Sequence, residues 1–195
     1  MKIDGRPYRT IWLAADGWSV EVIDQTQLPH RFEVVALREV SQAAHAIRSM
    51  QVRGAPLIGA TAAYGTALAM RADPSDASLE RSVMLLGAQR PTAVNLRWAL
   101  EEMRRVLAPL APADRAAAAY ARAAAICDED VETCRRIGEN GLALIREVAA
   151  RRPGETINIL THCNAGWLAC VDWGTATAPI YMAHDSGLPV HVWVD

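Results

Sequence analysis

Two apolar, β-prone runs close the chain, residues 156–161 and 189–194, and the stretch between them is far too long for a hairpin. Antiparallel strands can be joined by a tight turn, whereas parallel strands need a long crossover, usually helical. The spacing therefore predicts a β-α-β unit and commits this part of the chain to a parallel α/β sheet. Pro153-Gly154, just before the first run, is the sharpest boundary in the sequence. It predicts two units, residues 1–153 and 154–195. The second is expected to be incomplete, because His191-Val192-Trp193-Val194-Asp195 reads as a central parallel strand with no following crossover.

Upstream of the boundary the pattern changes. Tyr8 to Leu13 and Trp18 to Ile23 are β-prone, and Ala15-Asp16-Gly17 between them is a hairpin signal. A third run, Phe32 to Leu37, completes a small antiparallel meander. Helical spacing then takes over. Val40, Ala43, Ala44, Ile47 and Met50 form one stripe, and a buried helix follows Arg53-Gly54-Ala55-Pro56 as far as Arg71. Further helices are expected over 79–87, across Leu96 to Leu107, and from Ala113 to about Arg151, the last as one long helix or two joined ones. In the last, Cys134, Ile137, Gly141, Leu144 and Val148 recur at alternating three- and four-residue spacing. Asp128, Glu129, Asp130 and Glu132 are expected on its solvated side. Beyond the first parallel strand, Cys163 should sit in a strand-to-helix turn, with helical structure continuing to about Gly187. The fold class is mixed α/β: a β-meander with helices, then the start of a Rossmann-like parallel domain.

Composition excludes several function classes. Apolar residues make up 51% of the 195 and the formal net charge is −2, which supports a sizeable core and offers no basic face for nucleic acid. The apolar stretch 55–70 is too short to cross a membrane and is interrupted by Gly59, Thr61, Gly65 and Thr66. The first residues lack a signal-peptide layout, so a cytoplasmic location is expected. Cys127, Cys134, Cys163 and Cys170 match neither a CxxC metal pattern nor a secreted disulfide scaffold. Reduced thiols and no metal site are the expectation. No GxGxxG follows the first parallel strand, so no dinucleotide is implied.

Three places can carry chemistry. In Arg53-Gly54-Ala55-Pro56, glycine permits close backbone approach, proline suits a first helical turn, and an arginine stands beside free N–H groups. Arg90-Pro91-Thr92-Ala93-Val94-Asn95 repeats the theme, with Thr92 able to cap a helix. Each alone is an ordinary helix-breaking turn; together they favour an anionic small molecule. The third is Cys163 in Thr161-His162-Cys163-Asn164-Ala165-Gly166, at the carboxyl end of a strand, where open α/β sheets collect ligands. Its neighbours are compatible with a thiolate nucleophile and with a neutral proton donor.

These motifs, with Leu28-Pro29-His30-Arg31-Phe32-Glu33 and Ile137-Gly138-Glu139-Asn140-Gly141, resemble in order the S-methyl-5-thioribose-1-phosphate isomerases of methionine salvage. The resemblance implies aldose–ketose isomerisation of S-methyl-5-thioribose 1-phosphate, without metal or organic cofactor, in a subunit that usually forms a homodimer. It further implies that Arg53, Gly54, Ala55 and Arg90 hold the sugar phosphate and that Cys163 is the catalytic thiol. A phosphate on the anomeric carbon blocks spontaneous ring opening, so an acid must help before hydrogen passes between C1 and C2. The family's aspartate partner has no counterpart in the motifs present, and the 195-residue chain alone is expected to be inactive.

Related isomerases acting on ribose 1,5-bisphosphate or 5-deoxyribose 1-phosphate would keep the same arginine turns and cysteine, and the Leu28-to-Phe32 segment favours the methylthioribose branch. A non-catalytic module like the regulatory subunits of translation initiation factor 2B would share the architecture, and a purely structural Ala-rich domain is the blandest alternative. Cys163 in Thr161-His162-Cys163-Asn164, with the two arginine turns upstream, speaks against both.

Overall fold

The computed structural model describes all residues, 1–195. A short hairpin, β1 (Lys2–Ile3) and β2 (Arg6–Pro7), precedes an antiparallel sheet of β3 (Ile11–Leu13), β4 (Val20–Ile23) and β5 (Val34–Leu37). The meander is as expected, with Leu13 opposite Val20 and Val20 opposite Leu37. Asp16 makes its turn: one carboxylate oxygen accepts from the N–H groups of Trp18 and Ser19, and Gly17 takes φ +78°. The β1–β2 hairpin around Asp4-Gly5 was not foreseen, since two-residue strands leave no periodicity.

Five helices follow: α1 (Val40–Arg48), α2 (Ala55–Ala72), α3 (Asp76–Gly87), α4 (Val94–Leu107) and α5 (Pro112–Arg151). Fourteen of the eighteen α2 residues are buried, so this helix is the axis of the core rather than an amphipathic cover. Its small residues let neighbours close in. A Cβ added at Gly65 would lie 2.9 Å from the Ala43 Cβ, and one at Gly59 would lie 3.0 Å from the Asn95 carbonyl oxygen. The buried hydroxyls of Thr61 and Thr66 donate to the carbonyls of Leu57 and Ala62 one turn back. No helix is long and apolar enough to cross a membrane.

Between α4 and α5 the chain is secured by Arg115, whose side chain is buried. Its guanidinium donates to the carbonyls of Leu107, Ala108, Leu110 and Pro74 at 2.9–3.2 Å and pairs with Asp76. Two of those carbonyls belong to the end of α4, where backbone acceptors have no intrahelical partner. Residues 112–151 form one uninterrupted helix. Its buried side differs from the stripe expected. Cys134 and Gly138 are buried, whereas Ile137, Leu144 and Val148 are exposed. The cause is α6 (Ala178–Asp185), which packs on the glycines: a Cβ at Gly138 would meet the Met182 side chain at 2.7 Å, and one at Gly141 would meet Pro179 at 2.6 Å.

The chain ends in the expected β-α-β unit. β6 (Ile157–Thr161) and β7 (Val190–Val194) pair in parallel, Ile157 opposite Val190 and Thr161 opposite Val194. The crossover departs from expectation. Residues 163–177 are not helical except for one 3₁₀ turn, Trp167–Ala169, and α6 begins only at Ala178. Positive φ at Cys163, Trp173 and Gly174 is incompatible with a continuing right-handed helix, and Pro179 sets the late helix start.

Arg115→Leu should lower stability by about 3 kcal/mol, because four carbonyls, that of buried Leu107 among them, lose the donor that a buried guanidinium supplies. Urea denaturation checks this; a midpoint within error of the parent would refute the capping role.

Candidate functional site

The non-helical segment after β6 carries Cys163 and is stitched to the rest of the molecule by buried polar contacts. Thr10, buried at the mouth of β3, donates its N–H to the Val171 carbonyl at 3.0 Å and its hydroxyl to the Cys170 carbonyl at 2.6 Å. Gln25, just past β4, donates its amide to the Leu168 carbonyl at 2.6 Å. From α5, the Asp130 carboxylate accepts the Val171 N–H at 2.7 Å. Within the segment, the Ala176 N–H reaches the Ala165 carbonyl and closes the loop on itself. Three distant parts of the sequence thus fix one irregular stretch, as buried backbone polar groups require.

The tightest contact comes from the first arginine turn. Gly54 is the residue before α2, with φ +89°, and a Cβ placed on it would lie 2.3 Å from Ala169 Cα and 2.5 Å from the Ala169 carbonyl oxygen. Only glycine allows the two backbones to touch. The contact brings Arg53-Gly54-Ala55 against the segment that carries Cys163. Arg53 and Ala55 are exposed, Cys163 is exposed and free, and α2 has no side-chain cap. The Ala55 and Leu57 N–H groups that open α2 thus have no side-chain acceptor, Pro56 between them having no N–H, and Arg53 stands beside them.

Cys163 itself has φ +66° and begins no helix, so the strand-to-helix turn expected of it is a strand-to-loop turn. His162 turns its Nδ1 to the Asp195 carboxylate at 2.8 Å, across the ends of the parallel strands, rather than toward the thiol. Arg90 is half-buried and lines a cavity of about 250 Å³ with Leu96, Arg97 and Arg104, which includes no residue of the Arg53 turn or the Cys163 segment. The second turn does approach through α4: Asn95 shares a cavity of about 330 Å³ with Pro56 and Gly59. Thr92 is exposed and does not cap α4, whose N-cap is Ala93.

On the other side of the segment, Trp167 and Leu168 close an apolar cavity of about 380 Å³ with Ile3, Ile23, Leu28, Pro29 and Phe32. The indole N–H of Trp167 is buried without a partner. Of the acidic run on α5, Asp128 pairs with Arg9, Glu129 with Arg122, and Glu132 with Arg135 and Arg136. Asp130 is the exception and faces inward, where burial raises its pKa above the ordinary carboxylate value. The sequence reading placed it with its neighbours on the solvated side. The available signal was that Asp130, Cys134, Gly138 and Gly141 share one helical face.

The Initiation factor 2 subunit family model matches residues 51–195. The chain is 67% identical to the methylthioribose-1-phosphate isomerase of Acidiphilium cryptum and 63% identical to that of Rhodospirillum centenum, covering all of this chain and 53% and 52% of theirs. Among solved structures, 5-methylthioribose 1-phosphate isomerase from Pyrococcus horikoshii superposes with a TM-score of 0.84 at 34% identity, over 97% of this chain and 53% of that one. The translation initiation factor eIF-2B subunit delta from A. fulgidus superposes with a TM-score of 0.82 at 35% identity, over 96% and 54%. The chain spans about half the length of the curated relatives it matches.

Gly54→Ala and Gly154→Ala both place a side chain at positive φ, but nothing lies within 4 Å of the second. Gly154→Ala should lose about 1 kcal/mol from backbone strain alone. Gly54→Ala should lose at least ~2 kcal/mol more and increase amide hydrogen exchange across residues 163–177. Equal losses in the two variants would refute the Gly54–Ala169 contact as the fastening of the segment.

Proposed function

This chain belongs to the initiation factor 2 subunit family, and on that premise we propose that it supplies the phosphate-binding turn and the thiol of an aldose–ketose isomerase. The proposed substrate is S-methyl-5-thioribose 1-phosphate and the product its ketose, S-methyl-5-thioribulose 1-phosphate. The observation that carries the reading is the Gly54–Ala169 approach, which sets Arg53 and the open N-terminus of α2 against the Cys163 segment. A sugar 1-phosphate carries its phosphate on the reacting carbon, so the anion site and the reactive thiol must be neighbours. In this reading Arg53, Gly54 and Ala55 hold the phosphate. Cys163 serves ring opening or the C1–C2 hydrogen transfer.

The apolar cavity beside the segment favours a methylthio sugar over ribose 1,5-bisphosphate. It is lined by Leu28, Pro29, Phe32 and Trp167, with no cation to meet a second phosphate. Arg90 is proposed as a further phosphate ligand that reaches the site by movement of the turn before α4. The division at Pro153-Gly154 is kept, with residues 1–153 forming the first unit and 154–195 the parallel one. The acid–base partner of Cys163 is assigned to the half of the relatives' length that this chain does not span. A homodimer and a cytoplasmic location belong to the same reading.

A non-catalytic role is the second reading, because the initiation-factor subunit superposes nearly as well as the isomerase. What favours catalysis is the exposed thiol at a left-handed turn, on the same segment that Gly54 contacts at Ala169, an arrangement a scaffold does not need. The test is isomerisation of S-methyl-5-thioribose 1-phosphate by the full-length protein. Cys163→Ala should lower kcat by two to four orders of magnitude, on the order expected for loss of an acid–base group. Arg53→Met should raise KM more than it lowers kcat. No turnover by the unaltered protein supports the factor-like reading, and full turnover by Cys163→Ala removes the thiol from the mechanism.

A further inference from the structure

Beneath the Cys163 segment lies a second constellation that the isomerase reading does not use. Asp130 and Cys134 stand four residues apart on the inward face of α5, and Cys170 follows the 3₁₀ turn of the segment. One carboxylate oxygen and the two sulfurs all lie within 4.8 Å of one another. Both cysteines are buried, at 0% and 1% exposure. We propose that Asp130, Cys134 and Cys170 form a binding site for a divalent, thiophilic cation of the zinc class, which clamps α5 to the segment carrying Cys163.

Four observations support it. Donor chemistry comes first: two thiolates and a carboxylate suit zinc, which takes three protein ligands and a water where a position stays open. Electrostatics is the second. Asp130 and Asp172 both act on the Cys134 sulfur, and Asp172 pairs with the Met1 amine. A cation there would offset the negative charge that half-buried Asp130 and the two buried thiols carry when ionised.

The third observation is the orientation of the backbone. The Val171 N–H donates to the Asp130 carboxylate at 2.7 Å, the kind of support that orients metal ligands. Access is the fourth. Asp130 also lines the 330 Å³ cavity with Asn95, Glu129 and Thr133, so an ion has a polar route to the cluster. The reading is independent of the sugar-phosphate chemistry, because the cation would fasten the segment without taking part in a reaction.

Cobalt(II) is the probe. The reduced protein, stripped with a chelator under anaerobic conditions, should bind one equivalent of Co²⁺ with a thiolate-to-cobalt charge-transfer band and intense tetrahedral d–d bands. Zn²⁺ should displace it. Cys134→Ser and Cys170→Ser should each abolish the charge-transfer signal of a two-thiolate site, and Asp130→Asn should weaken binding about tenfold or more. Cys127→Ser should leave the spectrum unchanged, since that buried thiol, its pKa pushed up to about 12 mainly by burial, lies outside the cluster. Native mass spectrometry of unaltered protein with added Zn²⁺ keeps the test decisive should a serine variant fail to fold. Failure of the unaltered protein to bind either ion, or bands that survive in both serine variants, overturns the proposal.

Discussion

The structure depends on how an irregular stretch of fifteen residues is held after β6. A segment with neither a continuous helix nor a strand ladder is ordered only if its buried backbone groups find other partners, within the loop and beyond it. Here they come from β3 through Thr10, from the end of β4 through Gln25, and from α5 through Asp130. The contact of Gly54 with Ala169 adds a steric key that only a residue without a side chain can fit. The helical core, the meander and the parallel strands meet at this segment. Its geometry decides what Cys163 can reach.

That dependence explains features that look unrelated in the sequence. The small-residue character of α2 lets α4 and α1 close around it and brings Asn95 near Pro56 and Gly59. Gly138 and Gly141 let α6 lie directly on α5, which holds the far end of the crossover in place. Arg115 closes the α4–α5 connection, so that the long helix presents Asp130 and Cys134 to the segment rather than to solvent. Each device fixes the backbone around the site without touching a substrate.

Much of the fold was legible because its signals are local. Asp16-Gly17 marked the hairpin, Gly54 and Pro56 marked the start of α2, and the apolar runs at 156–161 and 189–194 marked the parallel pair. The misses share one cause: they depend on contacts distant in sequence. The α5 stripe of Ile137, Leu144 and Val148 has the right period, but α6 chooses the glycine face. The acidic run gives no local sign that Asp130 alone turns inward. Apolar content after Cys163 suggested helix, while Trp173-Gly174 and the buried partners of the segment impose another path. For the site, the residue types and their order were readable. The approach of Arg53 to the Cys163 segment, and the separate cavity of Arg90, required coordinates.

The central claim is that the α2 N-terminus and the Cys163 segment form one site for a sugar 1-phosphate. A crystal structure of the full-length protein with S-methyl-5-thioribulose 1-phosphate tests it most directly. The account predicts the phosphate on the N–H groups that open α2, beside Arg53, with the sugar C1 or C2 within about 4 Å of the Cys163 sulfur, near the reach of a reacting group. A phosphate seated only in the cavity of Arg90, Arg97 and Arg104, away from Cys163, would contradict it.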